Sequence, residues 1–170
     1  MAGKESVGFE LRPATKVDGE FLYELYASTR KGEMDAAGFP EEMREPFLRM
    51  QHAAQTTHYE KFFGDADHRI IESGGRRAGR ELVFRDSDQI HLVDIALLPE
   101  FCGCGIGSAL LNALMDEGRS TGRPVRLHVY KLNTNALRFY ERIGFRLVED
   151  KEMYLYMEWK MAPPDDAPEK

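Results

Sequence analysis

The sequence contains little cysteine and no long apolar run, and both features narrow the class of protein. Only two cysteines occur in 170 residues, and a single residue separates them. Such a pair does not form a disulfide framework, and without a second cysteine cluster it does not predict a zinc site. No stretch reaches the length of a membrane span, and the amino-terminal residues lack the apolar core of a signal peptide. We therefore expect a cytoplasmic protein with no bound metal and no membrane contact.

The sequence also lacks a basic stripe. Its 23 lysines and arginines are outnumbered by 29 acidic residues, for a net charge of −6. Nucleic-acid binding relies on clustered positive charge, so we expect no nucleic-acid partner, whereas a cationic amine is compatible with an acidic surface. The length is that of one domain. We expect a single domain at residues 1–161 and a disordered, acidic, proline-rich tail at residues 162–170.

The most informative segment is residues 92–108, LVDIALLPEFCGCGIGS. An apolar, strand-like run leads into a glycine-rich turn, and helical periodicity begins at its end. Gly103, Gly105 and Gly107 allow the backbone to bend so that successive N–H groups point at one spot. The first turn of the helix adds unpaired N–H groups and the positive end of the helix dipole. The segment therefore predicts a site for a phosphate or pyrophosphate.

Three kinds of phosphate-binding loop can be compared with this turn. A P-loop requires a lysine before its serine or threonine, and none is present here. A dinucleotide-binding loop requires a third glycine where Ser108 stands. The pattern Gln/Arg-x-x-Gly-x-Gly fits residues 102–107 in its glycines, although Cys102 replaces the leading residue. A turn with only a structural role remains the alternative when the loop is considered alone.

A second segment, residues 125–145, reads VRLHVYKLNTNALRFYERIGF and predicts a strand, a polar turn and a short helix that ends at Gly144. With both segments in place, the chain resembles the GNAT superfamily of acyl-CoA-dependent N-acyltransferases. LPEFCGCGIGSALL is similar to strand 4, the pyrophosphate loop and helix 3 of that family, and LNTNALRFYERIGF to the exit from strand 5 and helix 4. The resemblance is close over residues 90–148.

The resemblance implies an α/β (α+β) fold, with a mixed, mostly antiparallel sheet of six to seven strands flanked by about four helices. Helical periodicity predicts two helices that precede the central strand, and alternating apolar residues predict the strands. The first predicted elements are a strand at 9–15 and helices at 19–30 and 40–63, with a glycine-containing loop at 31–39 between the helices. Strands follow at 68–74 and 80–86, joined by a Gly74–Gly79 turn. A central strand at 89–98 comes next, and two final strands lie within 146–161.

The resemblance also implies acetyl-CoA as cosubstrate. Backbone N–H groups of the glycine loop then hold the pyrophosphate, and the backbone of the central strand pairs with the pantetheine arm. The N–H of Leu97 is the expected donor to the thioester carbonyl oxygen. Cys102 replaces the usual Gln or Arg, which predicts weaker cofactor affinity. The implied cofactor-binding residues are Ala96, Leu97, Leu98, Cys102, Gly103, Cys104, Gly105, Ile106, Gly107, Ser108, Asn133 and Tyr140.

The implied reaction is direct attack of a primary amine on acetyl-CoA. Tyr140 matches the position of the family's general acid, which protonates the leaving thiolate. His91 is a candidate base, and Asp94 is a second candidate that strand alternation places on the opposite face. Ordered water in place of a side-chain base and Cys102 as a nucleophile are the other options.

Several functional questions stay open at this level. The acceptor is a small-molecule or peptide amine, and the sequence does not distinguish between them. Assembly into a homodimer is also open. A protein of a different class, a non-catalytic sensor that binds acyl-CoA without turnover, is the alternative function, although the presence of Tyr140 and Asn133 favours the enzyme.

Overall fold

The computed structural model describes residues 8–162, which contain seven strands and four α-helices. None of these helices is long and apolar enough to cross a membrane. Of the tail predicted at 162–170, residues 163–170 lie outside the described part. In chain order the elements are β1 (Phe9–Pro13), α1 (Gly19–Ala36), α2 (Glu41–Phe62), β2 (Asp67–Ser73), β3 (Arg76–Arg85), β4 (Ile90–Leu97), α3 (Ile106–Thr121), β5 (Val125–Tyr130), α4 (Thr134–Ile143), β6 (Arg146–Lys151) and β7 (Tyr154–Trp159).

The strands form one sheet in the order β1-β2-β3-β4-β5-β7-β6. The pairs β1·β2, β2·β3, β5·β7 and β6·β7 are antiparallel, and β4·β5 is parallel. A parallel pair needs a crossover connection, which α3 supplies between β4 and β5. The seven-stranded, mostly antiparallel sheet with four helices confirms the predicted fold class.

The described residues divide into two compact units, 8–84 with 94–107 and 85–93 with 108–162. In the first unit, Phe21, Leu25 and Ile70 form a buried apolar cluster. Ala96 and Leu98 pack against this cluster, so the end of β4 is anchored to α1 and β2. Burial of such side chains is the main source of stability in a domain of this size.

The second unit buries one face of β5 and one stripe of α3. The side chains of β5 alternate between buried and more exposed positions, as expected for a strand with one face in the core. Arg126 and His128 are therefore on the face that is not in the core. The buried side chains are Leu110, Leu111, Leu114 and Met115 of α3, and Val125, Leu127 and Val129 of β5.

The prediction of a loop at residues 31–39 is wrong, because α1 continues to Ala36. Gly32 lowers the stability of the helix by about 1 kcal/mol relative to alanine, and ion pairs on the helix surface offset part of this loss. Lys31 binds Asp35 one turn away, and Arg44 of α2 binds the same carboxylate. The turn is instead made at Gly38, whose φ of 61° favours glycine.

The turn predicted at Gly74–Gly79 is also too long. Only Gly74 and Gly75 connect β2 to β3, and both have positive φ angles, 58° and 73°. Positive φ at two consecutive residues is typical of a two-residue hairpin turn. Gly79 consequently lies inside β3, where a glycine often indicates that another backbone approaches closely.

Candidate functional site

The glycine-rich segment begins where β4 ends, and its first residues are fixed by backbone hydrogen bonds. The Leu98 N–H donates to Ala78 O of β3 at 2.8 Å. Residues Pro99–Phe101 form one 3-10 turn, in which the Phe101 N–H donates to Leu98 O at 2.9 Å. The chain therefore leaves the sheet at Leu98 along a defined path.

Two glycines of this segment adopt a backbone conformation that favours glycine. Gly103 has a φ of 75° and Gly105 a φ of 88°, both in the left-handed region. A Cβ atom added to either residue would meet no other atom within 4 Å. The loop therefore presents bare backbone to open space. Ile106, only 1% exposed, anchors the start of α3 immediately afterwards.

The two cysteines turn their thiols back onto the loop. Cys102 Sγ lies 3.5 Å from Leu98 O, and Cys104 Sγ lies 3.8 Å from Cys102 O. Partial burial, the Cys104 thiol and the Glu100 carboxylate raise the pKa of Cys102 above its ordinary value. Because the thiolate is the nucleophilic form, this environment does not favour Cys102 as a nucleophile.

The last residues of β4 lie directly against β3 at Gly79. A Cβ on Gly79 would come within 2.1 Å of Ala96 O and 3.0 Å of Leu97 Cα, so only glycine fits. Backbone N–H groups of consecutive strand residues point to opposite sides. Since the Leu98 N–H donates towards β3, the Leu97 N–H points to the other side of the strand.

Asp94, a predicted candidate base, is held in a partly buried ion pair. Its carboxylate accepts a hydrogen bond of 2.6 Å from Arg80 Nε, and Arg80 is only 5% exposed. Arg80 also donates to Gln55 Oε1 of α2 at 2.8 Å. Arg80 therefore occupies the carboxylate of Asp94.

Tyr140 lies in α4 of the second unit, and hydrogen bonds at both ends of this helix fix its position. The Asn133 side chain caps the helix by accepting a 3.1 Å hydrogen bond from the Ala136 N–H. At the other end, Gly144 has a φ of 116° and its N–H donates to Tyr140 O, a common helix terminus. Tyr140 is 9% exposed, and its ring lies beside Phe145 with centroids 5.9 Å apart.

His91 of β4 belongs to a row of three rings that crosses β4, β5 and β7. Its ring centroid is 5.5 Å from that of His128, and His128 is 4.7 Å from Tyr156. Burial first, then His128 and Arg126, lower the pKa of His91 to about 4. Burial and Lys151 also lower the pKa of His128. Both imidazoles are therefore neutral at pH 7, and the pKa of about 4 makes His91 a weak proton acceptor.

The structure thus distributes the predicted site residues over the two units. Asp94 and the segment 96–107 belong to the first unit, and His91, Ser108, Asn133 and Tyr140 to the second. His128 was not predicted from the sequence, because its proximity to His91 depends on the register of β4 and β5. Within residues 8–162, no cluster of three or more His, Cys, Asp or Glu side chains is arranged to hold a metal ion.

Comparison with known families gives one match that spans most of the chain. Residues 20–145 match the Acetyltransferase (GNAT) family. N-alpha-acetyltransferase 50 of Danio rerio is 28% identical over 85 residues, which are 49% of this chain and 48% of that protein. An uncharacterized N-acetyltransferase of Methanocaldococcus jannaschii is 40% identical over 70 residues, 41% of this chain and 29% of that protein. The chain spans less than half the length of these curated relatives.

Solved structures share the fold over nearly the whole chain. The PaiA N-acetyltransferase of Thermoplasma acidophilum, in complex with coenzyme A, has a TM-score of 0.69 and 20% identity, and the match covers 91% of this chain and 99% of that one. An acetyltransferase of Thermus thermophilus has a TM-score of 0.66 and 19% identity, with 92% and 99% covered. At 19–20% identity, this similarity shows that the fold is shared.

Proposed function

Because the chain belongs to the GNAT acetyltransferase family, we propose that it transfers the acetyl group of acetyl-CoA to a primary amine. The observation that carries this proposal is the bare loop between β4 and α3, with Gly103 and Gly105 in the left-handed conformation and open space over both. Backbone N–H groups at a helix start bind phosphate well. Acetyl-CoA supplies the activated acyl group as a thioester.

In this proposal the residues after β4 bind the cofactor through their backbone. The N–H groups of Gly103, Gly105 and the first turn of α3 hold the pyrophosphate. The substitution of Cys102 for a larger polar side chain leaves those N–H groups intact. The thiols fold back onto loop carbonyls, so they do not compete for the space over the glycines.

The acetyl carbonyl is polarised by the backbone of β4. The Leu97 N–H is the proposed donor, because the neighbouring Leu98 N–H is already bound to Ala78 O. A fixed N–H aimed at the developing oxyanion stabilises the tetrahedral intermediate without reorganising during the reaction. Gly79 supports this arrangement by allowing β3 to lie close to Ala96 and Leu97.

Proton transfer completes the reaction. The amine nitrogen bonds to the acetyl carbon, the carbon–sulfur bond breaks, and the CoA thiolate takes a proton from the Tyr140 hydroxyl. A phenol with an ordinary pKa near 10 suits a thiolate leaving group. We assign removal of the amine proton to His128, the exposed neighbour of His91, or to ordered water, because a pKa of about 4 makes His91 a weak proton acceptor. Asp94 is not assigned this role because Arg80 binds it.

The acceptor is a primary amine of a small molecule or a peptide. Relatives include both kinds by name: a ribosomal protein bS18-alanine N-acetyltransferase of Haemophilus influenzae, 37% identical over 68 residues, and a mycothiol acetyltransferase of Nocardiopsis dassonvillei, 42% identical over 72 residues. We further propose that residues 1–161 act as one domain, since the family match includes parts of both compact units. The cytoplasmic location and the homodimer stay predictions.

The binding role of the loop is tested by replacing Gly105 with valine. A β-branched residue at a φ of 88° is strained by about 1–3 kcal/mol, so the loop moves away from its binding conformation. We expect the Kd for CoA, measured by titration calorimetry, to rise by about ten- to a hundredfold.

Gly38→Val is the matched control for this experiment. Gly38 also has a positive φ, 61°, and open space around it, but it lies in the turn between α1 and α2. This variant carries a similar backbone strain and should bind CoA with the parent's affinity. If Gly105→Val is poorly folded, Gly105→Ala provides a milder change. An unchanged Kd in both Gly105 variants would contradict the assignment of the loop.

A further inference from the structure

The glycine loop and the residues around it in the sequence carry no positive side chain. No lysine or arginine occurs between Arg85 and Arg119, a stretch that includes β4, the loop and most of α3. A carboxylate is present instead, because Glu100 stands three residues before Gly103. CoA is an anion through its phosphates, so this acidic group opposes its binding unless another part of the chain compensates for it.

Glu100 lies directly against the loop. Its carbonyl oxygen is 4.0 Å from the Cys104 thiol, and the Cys102 N–H donates to Pro99 O at 3.2 Å, so the 3-10 turn and the loop pack together. Burial first, then Cys104 and the Glu100 carboxylate raise the pKa of Cys102. The negative charge of Glu100 is therefore felt within the loop, and a phosphate bound there is repelled by the same charge.

Arg76, the first residue of β3, holds this carboxylate. Its Nη2 atom donates to Glu100 Oε1 at 3.0 Å, and its Cζ atom lies 5.2 Å from the centroid of the Phe101 ring. The hydrogen bond from the Leu98 N–H to Ala78 O keeps the start of β3 beside this turn. The positive charge that the loop segment lacks is thus supplied from the neighbouring strand.

This ion pair is too exposed to have a large effect on the fold. The side chains of Arg76 and Glu100 are 66% and 48% exposed, and ion pairs at such positions contribute little to stability. Charges near a protein surface still interact over roughly 8–10 Å at moderate salt. Because Glu100 contacts the loop itself, the pair is close enough to change the electrostatic potential there.

We propose that Arg76 is a specificity-determining residue for the anionic cofactor: its guanidinium offsets the Glu100 carboxylate and so allows the loop between β4 and α3 to bind the phosphates of CoA. The inference rests on the proposed function, because it takes CoA as the ligand of this loop. Arg76 acts through the electrostatic potential and touches none of the reacting atoms. Such an effect changes cofactor affinity and becomes weaker as salt is added.

The test is titration calorimetry of the full chain with CoA. Arg76→Gln removes the compensating charge, so we expect the Kd at low salt to rise by about three- to tenfold. Glu100→Gln removes the repelling charge, and the Kd should fall by a similar factor. In the double variant both charges are absent, and the Kd should lie within about twofold of the parent value. At roughly 1 M salt, where the Debye length is about 3 Å, all four proteins should bind CoA about equally.

Arg69→Gln is the matched control. Arg69 also forms an exposed ion pair, with Asp67 at 3.4 Å, but it lies near the start of β2, whereas Arg76 is opposite Ser73 at the end of that strand. This variant has the same change in net charge as Arg76→Gln. It should bind CoA with the parent's affinity at both salt concentrations.

Charge compensation predicts opposite effects for the two single variants, which a structural role of the ion pair does not. An unchanged Kd in Arg76→Gln, a Kd that does not fall in Glu100→Gln, or a weaker affinity that persists in the double variant would overturn the proposal. If Arg76→Gln does not fold, the Glu100→Gln result still decides. A parent chain that does not bind CoA at all would overturn the proposed function and this inference with it, whereas a binding parent with unaffected variants would overturn this inference alone.

Discussion

Replacing Tyr140 with phenylalanine is expected to lower kcat for acetyl transfer by about ten- to a thousandfold, the effect of removing a general acid. The ring and its contact with Phe145 remain in this variant, and only the hydroxyl is lost. Without it, the CoA thiolate leaves unprotonated. The Kd for CoA should stay within about twofold of the parent value, because the loop between β4 and α3 is not altered. Thiol release and titration calorimetry measure the two quantities.

Tyr23→Phe is the matched control for the Tyr140 variant. Tyr23 is also 9% exposed, but it belongs to the α1–α2 cluster with Tyr26 and Leu48. Loss of its hydroxyl should not change kcat. If Tyr140→Phe keeps the parent's kcat under conditions where chemistry limits the rate, Tyr140 is not the general acid.

Replacing Gly79 with alanine is expected to destabilise the fold by about 2–4 kcal/mol. The new methyl group would lie 2.1 Å from Ala96 O, so β3 and the end of β4 must separate. Because Leu97 follows Ala96, the same displacement moves the proposed oxyanion donor, and kcat/KM should fall in the molecules that remain folded. Urea unfolding gives the stability, and a thiol-release assay gives the activity.

Gly32→Ala is the control for the Gly79 experiment. Gly32 lies in α1, and a methyl group added there would meet no other atom within 4 Å, so alanine should stabilise the chain by up to about 1 kcal/mol. A Gly79→Ala protein as stable and as active as the parent would show that the approach of β3 to β4 is not needed for the site.

The parts of the fold that sequence predicted well are those set by local chemistry. The glycines at 103 and 105 and the helix terminus at Gly144 each require a special backbone conformation, and both features appear where predicted. The loop expected at 31–39 was wrong because Arg44, from the next helix, contributes to the stability of the end of α1. That contact is not visible in the local pattern.

The parts of the site that the sequence did not reveal depend on distant pairings. Gly79 is required by the backbone of β4, at Ala96 and Leu97 much further along the chain. Asp94 is a candidate base by its position in the sequence, but Arg80 of β3 binds it. His128 stands beside His91 only because β4 and β5 pair in parallel with His91 opposite Arg126. Strand register is set by the whole sheet, so these relations could not be derived from spacing alone.

Catalysis of acetyl transfer by this chain is tested by incubating it with acetyl-CoA and a panel of small-molecule and peptide amines. Released CoA thiol and acetylated amine are measured together. We expect at least one amine to be acetylated in equal amount to the thiol released, and no such product to form without the protein. Binding of acetyl-CoA with no thiol release for any amine would contradict a role in acetyl transfer and indicate a non-catalytic acyl-CoA sensor.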